Sequence, residues 1–114
     1  MRYTVSIKKN RDFRRLYSKG KTAANSYLVV YCRRNKTAVN RLGLTVGTRI
    51  GKAVVRNRVR RLIRESYRLR EEQLKKGYDL VVVARTRAAG ASYWQIDAAL
   101  AALLRKLGLC GAEV

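Results

Sequence analysis

Histidine and proline are absent from this chain of 114 residues, and tryptophan, phenylalanine and methionine occur once each. Without histidine there is no imidazole base and no histidine metal ligand. No serine or cysteine triad can be assembled either. Carboxylates are scarce. Asp12, Glu65, Glu71, Glu72, Asp79, Asp97 and Glu113 are the full set, and their scatter argues against a protein-only nuclease that holds metal between acids. Cys32 and Cys110 lie far apart with no metal-ligand spacing, so free thiols in a reducing cytosol are expected. No run of about twenty apolar residues exists, which excludes a transmembrane helix. The start, Met1 to Val5, lacks the apolar core of a signal peptide, and a cytoplasmic location is expected. With no repeat and no linker-like stretch, 1–114 reads as a single domain, with a basic arm over 1–9 and a fraying tail over 109–114.

What the chain has in excess is positive charge: 27 Lys and Arg against 7 Asp and Glu, a net +20. Such an excess repels itself in a compact state and is tolerated when a polyanion neutralises it. The candidates are RNA, DNA and an anionic membrane. Aromatics interleaved in strand-forming stretches favour nucleic acid, although no helix-turn-helix pattern supports a DNA-binding module.

The charge concentrates in one stretch. Residues 51–74 read as a long helix with apolar residues at helical spacing. Between Lys52 and Arg70 only Glu65 interrupts the basic residues. Wrapped at about 100° per residue, Val55, Val59, Leu62, Ile63, Ser66 and Leu69 share one side. Arg56, Asn57, Arg58, Arg60, Arg61, Arg64 and Arg68 fan over the other. A salt-bridged surface helix would alternate signs. Guanidinium groups on successive turns suit phosphate oxygens, and the Asn57 amide suits a base edge or a 2′-hydroxyl.

Other elements frame this helix. Asn10 can cap a short helix over 11–19, with Phe13, Leu16 and Tyr17 at i, i+3, i+4 and Gly20 as its stop. Ser26 to Arg33 reads as a strand, with Leu28, Val30 and Cys32 on the core face and Tyr27, Val29, Tyr31 and Arg33 on the other. The second set mixes rings and a cation, a composition suited to stacking on single-stranded bases, though it is equally ordinary packing under a helix. Asn35 to Asn40 reads as a hairpin loop, and Arg41 to Val46 as the strand after it. Tyr78 to Arg85 is a continuous apolar strand buried on both faces. Ser92 can cap a last helix through Leu107, with Ile96, Leu100, Leu103, Leu104 and Leu107 as its stripe. The pattern as a whole is an α+β fold.

Several of these stretches match one family. Residues 51–64, Gly-Lys-Ala-Val-Val-Arg-Asn-Arg-Val-Arg-Arg-Leu-Ile-Arg, resemble the signature of the bacterial ribonuclease P protein subunit. Lys9 to Phe13 with Tyr17 and Gly20 resemble that family's first helix. Ala24-Asn25 followed by Leu28 to Tyr31 resemble its first strand. Arg41 to Val46, Tyr78 to Arg85 and Leu103 to Lys106 follow in the family's order, so that the resemblance covers about residues 5–109. It departs in three places: Thr48-Arg49 keeps one charge of a usual cation pair, Tyr17 stands where phenylalanine is common, and the N-terminal arm is short.

The resemblance implies a single-domain α–β sandwich like the second domain of ribosomal protein S5, with a left-handed strand–helix–strand crossover. It implies a protein cofactor of an RNA enzyme, which removes the 5′ leader of precursor tRNA with magnesium ions bound chiefly by the RNA. By the resemblance, Arg56, Asn57, Arg58, Arg60, Arg61 and Arg64 face the catalytic RNA, and Arg68 continues their arc. Phe13, Tyr17, Val29 and Tyr31 match a cleft for the single-stranded leader, with Lys9 and Arg14 beside it. The expected partners are the catalytic RNA and precursor tRNA, with no membrane and no obligate protein partner. A ribosomal-type protein that binds rRNA without a processing role is the alternative that composition leaves open.

Overall fold

Three apolar stripes wind into three helices, and alternation or continuous apolarity marks the longer strands of a five-stranded sheet. The computed structural model describes residues 2–110. The order is β1 (Thr4–Ser6), α1 (Asn10–Lys19), β2 (Lys21–Ala24), β3 (Leu28–Arg34), β4 (Asn40–Thr45), α2 (Ala53–Arg70), β5 (Tyr78–Ala84) and α3 (Tyr93–Lys106). Short 3₁₀ turns occupy Thr48–Ile50, Glu71–Gln73 and Thr86–Gly90. The strands form one mixed sheet in the order β1-β4-β5-β3-β2. β4 and β5 are parallel neighbours, with α2 as the crossover between them.

The sheet order corrects one expectation. Asn35 to Asn40 does not close a hairpin, because β5 inserts between β3 and β4 and pairs with both. The loop is organised instead by Asn35. Its Oδ1 accepts from the N–H and hydroxyl of Thr37, and its Nδ2 donates to the Val39 carbonyl and to Asp79. β2, unmarked in the sequence pattern, pairs antiparallel with β3 from Lys21↔Cys32 to Ala24↔Val29.

The arm at the start is extended, as expected, but it is also paired: β1 lies parallel to β4 from Thr4↔Asn40 to Ser6↔Leu42. Its anchors are polar and come from the last turn of α2 and the 3₁₀ turn after it. The buried Glu71 carboxylate accepts the N–H groups of Arg2 and Tyr3, both at 2.9 Å. The Thr4 hydroxyl meets Tyr67 Oη at 2.9 Å. Burial disfavours ionised Glu71, yet the Thr4 hydroxyl and those two N–H groups prevail and hold its pKa below the usual carboxylate range.

α2 and α3 cover one face of the sheet. Leu28, Val30, Cys32, Leu42, Leu80 and Val82 meet Val59, Ile63, Tyr67, Ile96, Leu100, Leu103 and Leu104 there. The buried stripe of α2 runs through Val59, Ile63, Ser66 and Tyr67. It is rotated from the expected one, so that Leu69 is 59% exposed while Tyr67 is fully buried. α2 also ends at Arg70 rather than near Leu74, because Glu71 turns inward to hold β1. Tyr27 packs toward this same core under the Arg87 guanidinium, not on the Tyr31 face. At the C-terminal side Leu109 is buried and its carbonyl accepts the Lys75 N–H at 2.9 Å, so the chain is held through there. The remainder of the expected frayed tail, 111–114, lies outside the described residues. Both cysteines are free thiols.

α1 alone covers the opposite face. Asn10 is its first residue rather than its cap; Lys9 holds the cap position with no side-chain bond. A helix of ten residues is roughly 15 Å long, too short to roof five strands about 4.8 Å apart. Leu16, Ile7 and Val81 are buried beneath it, while Phe13, Tyr31 and Val83 are only partly covered. That partial roof makes the site.

Candidate RNA-binding surfaces

The register of the sheet decides what lies beside α1. Gly43, Val81 and Tyr31 are aligned across β4, β5 and β3, and Thr45, Val83 and Val29 form the next row. Gly43 matters for its missing side chain: a Cβ there would fall 2.6 Å from the Phe13 ring. Phe13 therefore lies directly on the sheet. Tyr17 is 6.4 Å from Phe13 and 5.0 Å from Tyr31 between ring centroids, the second pair edge-on at 73°. The Tyr17 hydroxyl bonds Thr45 Oγ1 at 2.7 Å, which fixes its ring while leaving it 40% exposed. Val29 is half-buried in the row behind Tyr31, and Arg14 stands exposed. Arg14, Phe13 and Tyr17 face Leu44, Thr45 and Val46 across a groove of about 490 Å³. Lys9 is exposed at the head of α1. The structure thus brings Phe13, Tyr17 and Tyr31 together, with Val29 in the adjoining row and Arg14 at the rim. Thr45, Val83 and Gly43 belong with them. Sequence reasoning missed these three, although their odd-numbered alternation along β4 and β5 was the available signal.

On α2 the basic arc is only partly free. The Arg56 guanidinium donates to the Gly51 carbonyl at 2.8 Å, and Arg58 donates to the Ala91 carbonyl at 3.1 Å. Arg60 donates to Asn57 Oδ1 at 3.0 Å and to the Val46 carbonyl at 3.4 Å. These tethers leave guanidinium N–H groups over and hold each fork in place. Arg68 bonds Glu65 through two N–H groups at 3.0 and 2.7 Å, an exposed i,i+3 pair. Arg61 and Arg64 are exposed and have no hydrogen bond or ion pair within the described residues. Arg60 and Arg64 also wall a second groove of about 430 Å³, shared with Phe13, Gly43, Leu44 and β1. The cationic arc and the aromatic cleft, separate stretches of sequence, therefore border one another.

The described acids all have partners. Asp79 takes a two-pronged bond from Arg41 at 2.8 and 2.7 Å, and Arg41 also reaches Asp12 at 3.4 Å. Asp97 takes Arg70 and the Ser66 hydroxyl. Burial works against ionised Asp79 and Asp97, but their hydrogen bonds, from Arg41 and Asn35 in one case and Ser66 and Arg70 in the other, lower both pKa values. No group of three or more His, Cys, Asp and Glu is placed to hold a metal ion among the described residues. No helix among them is long and apolar enough to cross a membrane.

Comparison with known proteins decides between processing and ribosomal readings. The family model described as Ribonuclease P matches residues 1–108. The chain belongs to the ribonuclease P protein family. A ribonuclease P protein component from Alkaliphilus oremlandii is 45% identical over 95% of each chain, and one from Clostridium botulinum is 49% identical over 90% of this chain and 94% of that one. Among solved structures, the RNase P protein of Staphylococcus aureus has a TM-score of 0.86 at 36% identity, covering 93% of this chain and 97% of that one. The RNase P protein of Thermotoga maritima has a TM-score of 0.81 at 32% identity, covering 89% and 96%. The protein is accordingly a subunit of an endoribonuclease complex for tRNA 5′ processing, and membership implies a ribonuclease P RNA as its partner. The rRNA-binding alternative finds no support.

Proposed function

We propose that the exposed arc of α2 docks on the catalytic RNA of ribonuclease P, and that the cleft beside α1 holds the single-stranded 5′ leader of precursor tRNA. The observation that carries this reading is the shared wall: Phe13, Gly43 and Leu44 border a groove whose other side is Arg60 and Arg64. A strand leaving an RNA bound to α2 would pass from guanidinium groups directly onto aromatic rings. Arg61 and Arg64, with Arg56, Arg58, Arg60 and Arg68 around them, neutralise phosphates and release counterions, and the Asn57 amide offers hydrogen bonds to a base edge or a 2′-hydroxyl. Tyr17 and Tyr31, with Phe13 and Val29, offer bases a rigid apolar surface that tolerates any sequence, and Arg14 and Lys9 stand ready for the leader backbone. The leader-bearing substrate gains contacts that mature tRNA lacks. In this reading the RNA carries the chemistry and holds the magnesium ions, since the described acids are bound to arginines, hydroxyls and N–H groups.

The test is a pair of double variants in the reconstituted holoenzyme. Phe13→Ala with Tyr31→Ala should weaken precursor tRNA binding by about 10-fold or more, given ~1–3 kcal/mol per stacked base, with mature tRNA binding unchanged. An equal fall for both RNAs would reject the leader cleft. Arg60→Glu with Arg64→Glu should weaken binding of the catalytic RNA and flatten its salt dependence; native affinity at moderate salt would reject the docking face.

A further inference from the structure

Trp94 is the only tryptophan of the chain, and it stands 76% exposed in the first turn of α3. The fold does not need it there, since the stripe that seats α3 is Ile96, Leu100, Leu103 and Leu104, all buried. Its aromatic neighbour is Tyr93, edge-on at 77° with centroids 5.3 Å apart. The turn that carries this pair is fastened to the flank of α2 on both sides. Before it, Arg58 donates to the Ala91 carbonyl at 3.1 Å. After it, Asp97 accepts from Ser66 at 2.6 Å and from Arg70 at 3.2 and 2.7 Å. The capping box of Ser92 and Gln95 stiffens the same turn. Along α2, Arg61 and Glu65 follow Arg58 at i+3 and i+7 on that flank. The Glu65 carboxylate is occupied by Arg68, and Arg61 is exposed. A rigid turn that carries an exposed indole is therefore tied to the flank of α2 that holds Arg58, Ser66 and Arg70.

We propose that Trp94 is a stacking anchor for an unpaired base of the RNA that docks on α2, extending that interface onto the first turn of α3. The proposal rests on the reading of α2 as the docking face. Charge selects the occupant: a phosphate backbone complements Arg58 and Arg61, the Arg68 charge being offset by Glu65, whereas a protein anchor pocket would be desolvated and apolar around the ring. Every base offers a π-face to the indole, and the flanking cations hold the backbone on either side of it.

Because the tryptophan is unique, its emission in the native protein reports on this position alone. Titration with the catalytic RNA should quench it, while a leader oligonucleotide alone should not. Trp94→Ala should bind the catalytic RNA about 5- to 100-fold more weakly at constant salt, with an unchanged salt slope and unchanged discrimination between precursor and mature tRNA; Trp94→Phe should recover part of the loss. Emission that stays constant at saturating RNA overturns the proposal whether or not the variants fold. Emission that shifts with protein concentration in the absence of RNA assigns the ring to a second copy of the chain and also overturns it. Loss of binding in Arg60→Glu/Arg64→Glu beside native binding in Trp94→Ala removes the Trp94 anchor and leaves the docking face standing; native binding in both removes both.

Discussion

Gly43 sets the depth of the cleft. The Phe13 ring occupies the space where any side chain on that residue would be, so the aromatic wall and the sheet are in contact only because the strand carries a hydrogen there. Gly43→Ala should push the ring outward, cost about 1–3 kcal/mol of stability as overpacking does, and lower precursor affinity more than mature tRNA affinity. Urea unfolding and the two affinities measured together would show it; a variant of native stability and native discrimination would contradict the close contact. In the sequence Gly43 is one position of a strand, and nothing local names the ring that approaches it. The same limit held for the arginines. Their identity and spacing were legible along residues 56–68, but their tethering was not. Arg58 reaches a carbonyl 33 positions away and Arg60 one 14 positions away, and no local pattern records such partners. Leu69 and Tyr67 exchanged places for a related reason: helical spacing defines a stripe, and the polar hold of Tyr67 on Thr4 and Asn40 turned the helix within it.

At the scale of elements, the site exists because α1 is short and pinned. Arg41 on β4 supplies the pin, since its guanidinium bridges Asp79 on β5 and Asp12 on α1. Those carboxylates are only 15% and 12% exposed, so Arg41→Ala leaves two shielded charges without their cation. We expect a loss of about 2 kcal/mol, in the range for hydrogen bonds to charged groups, together with weaker precursor binding as α1 loosens. Denaturant unfolding and leader-dependent affinity would fall together; native stability would show that the bridge is idle. α2, α3, β3 and β5 were legible in the sequence because each carries a long apolar signal. β1 and β2 were not, being three and four residues long and held by pairing and by Glu71 rather than by an apolar face. The loop of 35–40 looked like a hairpin because a strand that inserts from 38 positions later leaves no mark between its neighbours.

For the whole molecule, charge governs both stability and partnership. Glu71, Asp79 and Asp97 all have pKa values lowered in the folded chain. A lowered carboxylate stabilises the fold above its unfolded pKa, near 4, and that contribution is lost as pH falls through the folded value. Thermal stability should therefore stay level from neutral pH to about 5 and drop below about 4, where protonation also adds to a net charge already at +20. An unchanged melting temperature at about pH 2.5, below all ordinary carboxylate pKa values, would contradict it. By itself the sequence determined the class of partner, the family resemblance and the position of the basic helix, because charge, motif and periodicity are properties of the chain. Only the tertiary structure decided that the arginine arc and the aromatic cleft share a wall, and that the turn carrying Trp94 is tied to α2. Those relations arise from strands inserted out of order and from a helix too short for its sheet, contacts between residues that no local rule connects.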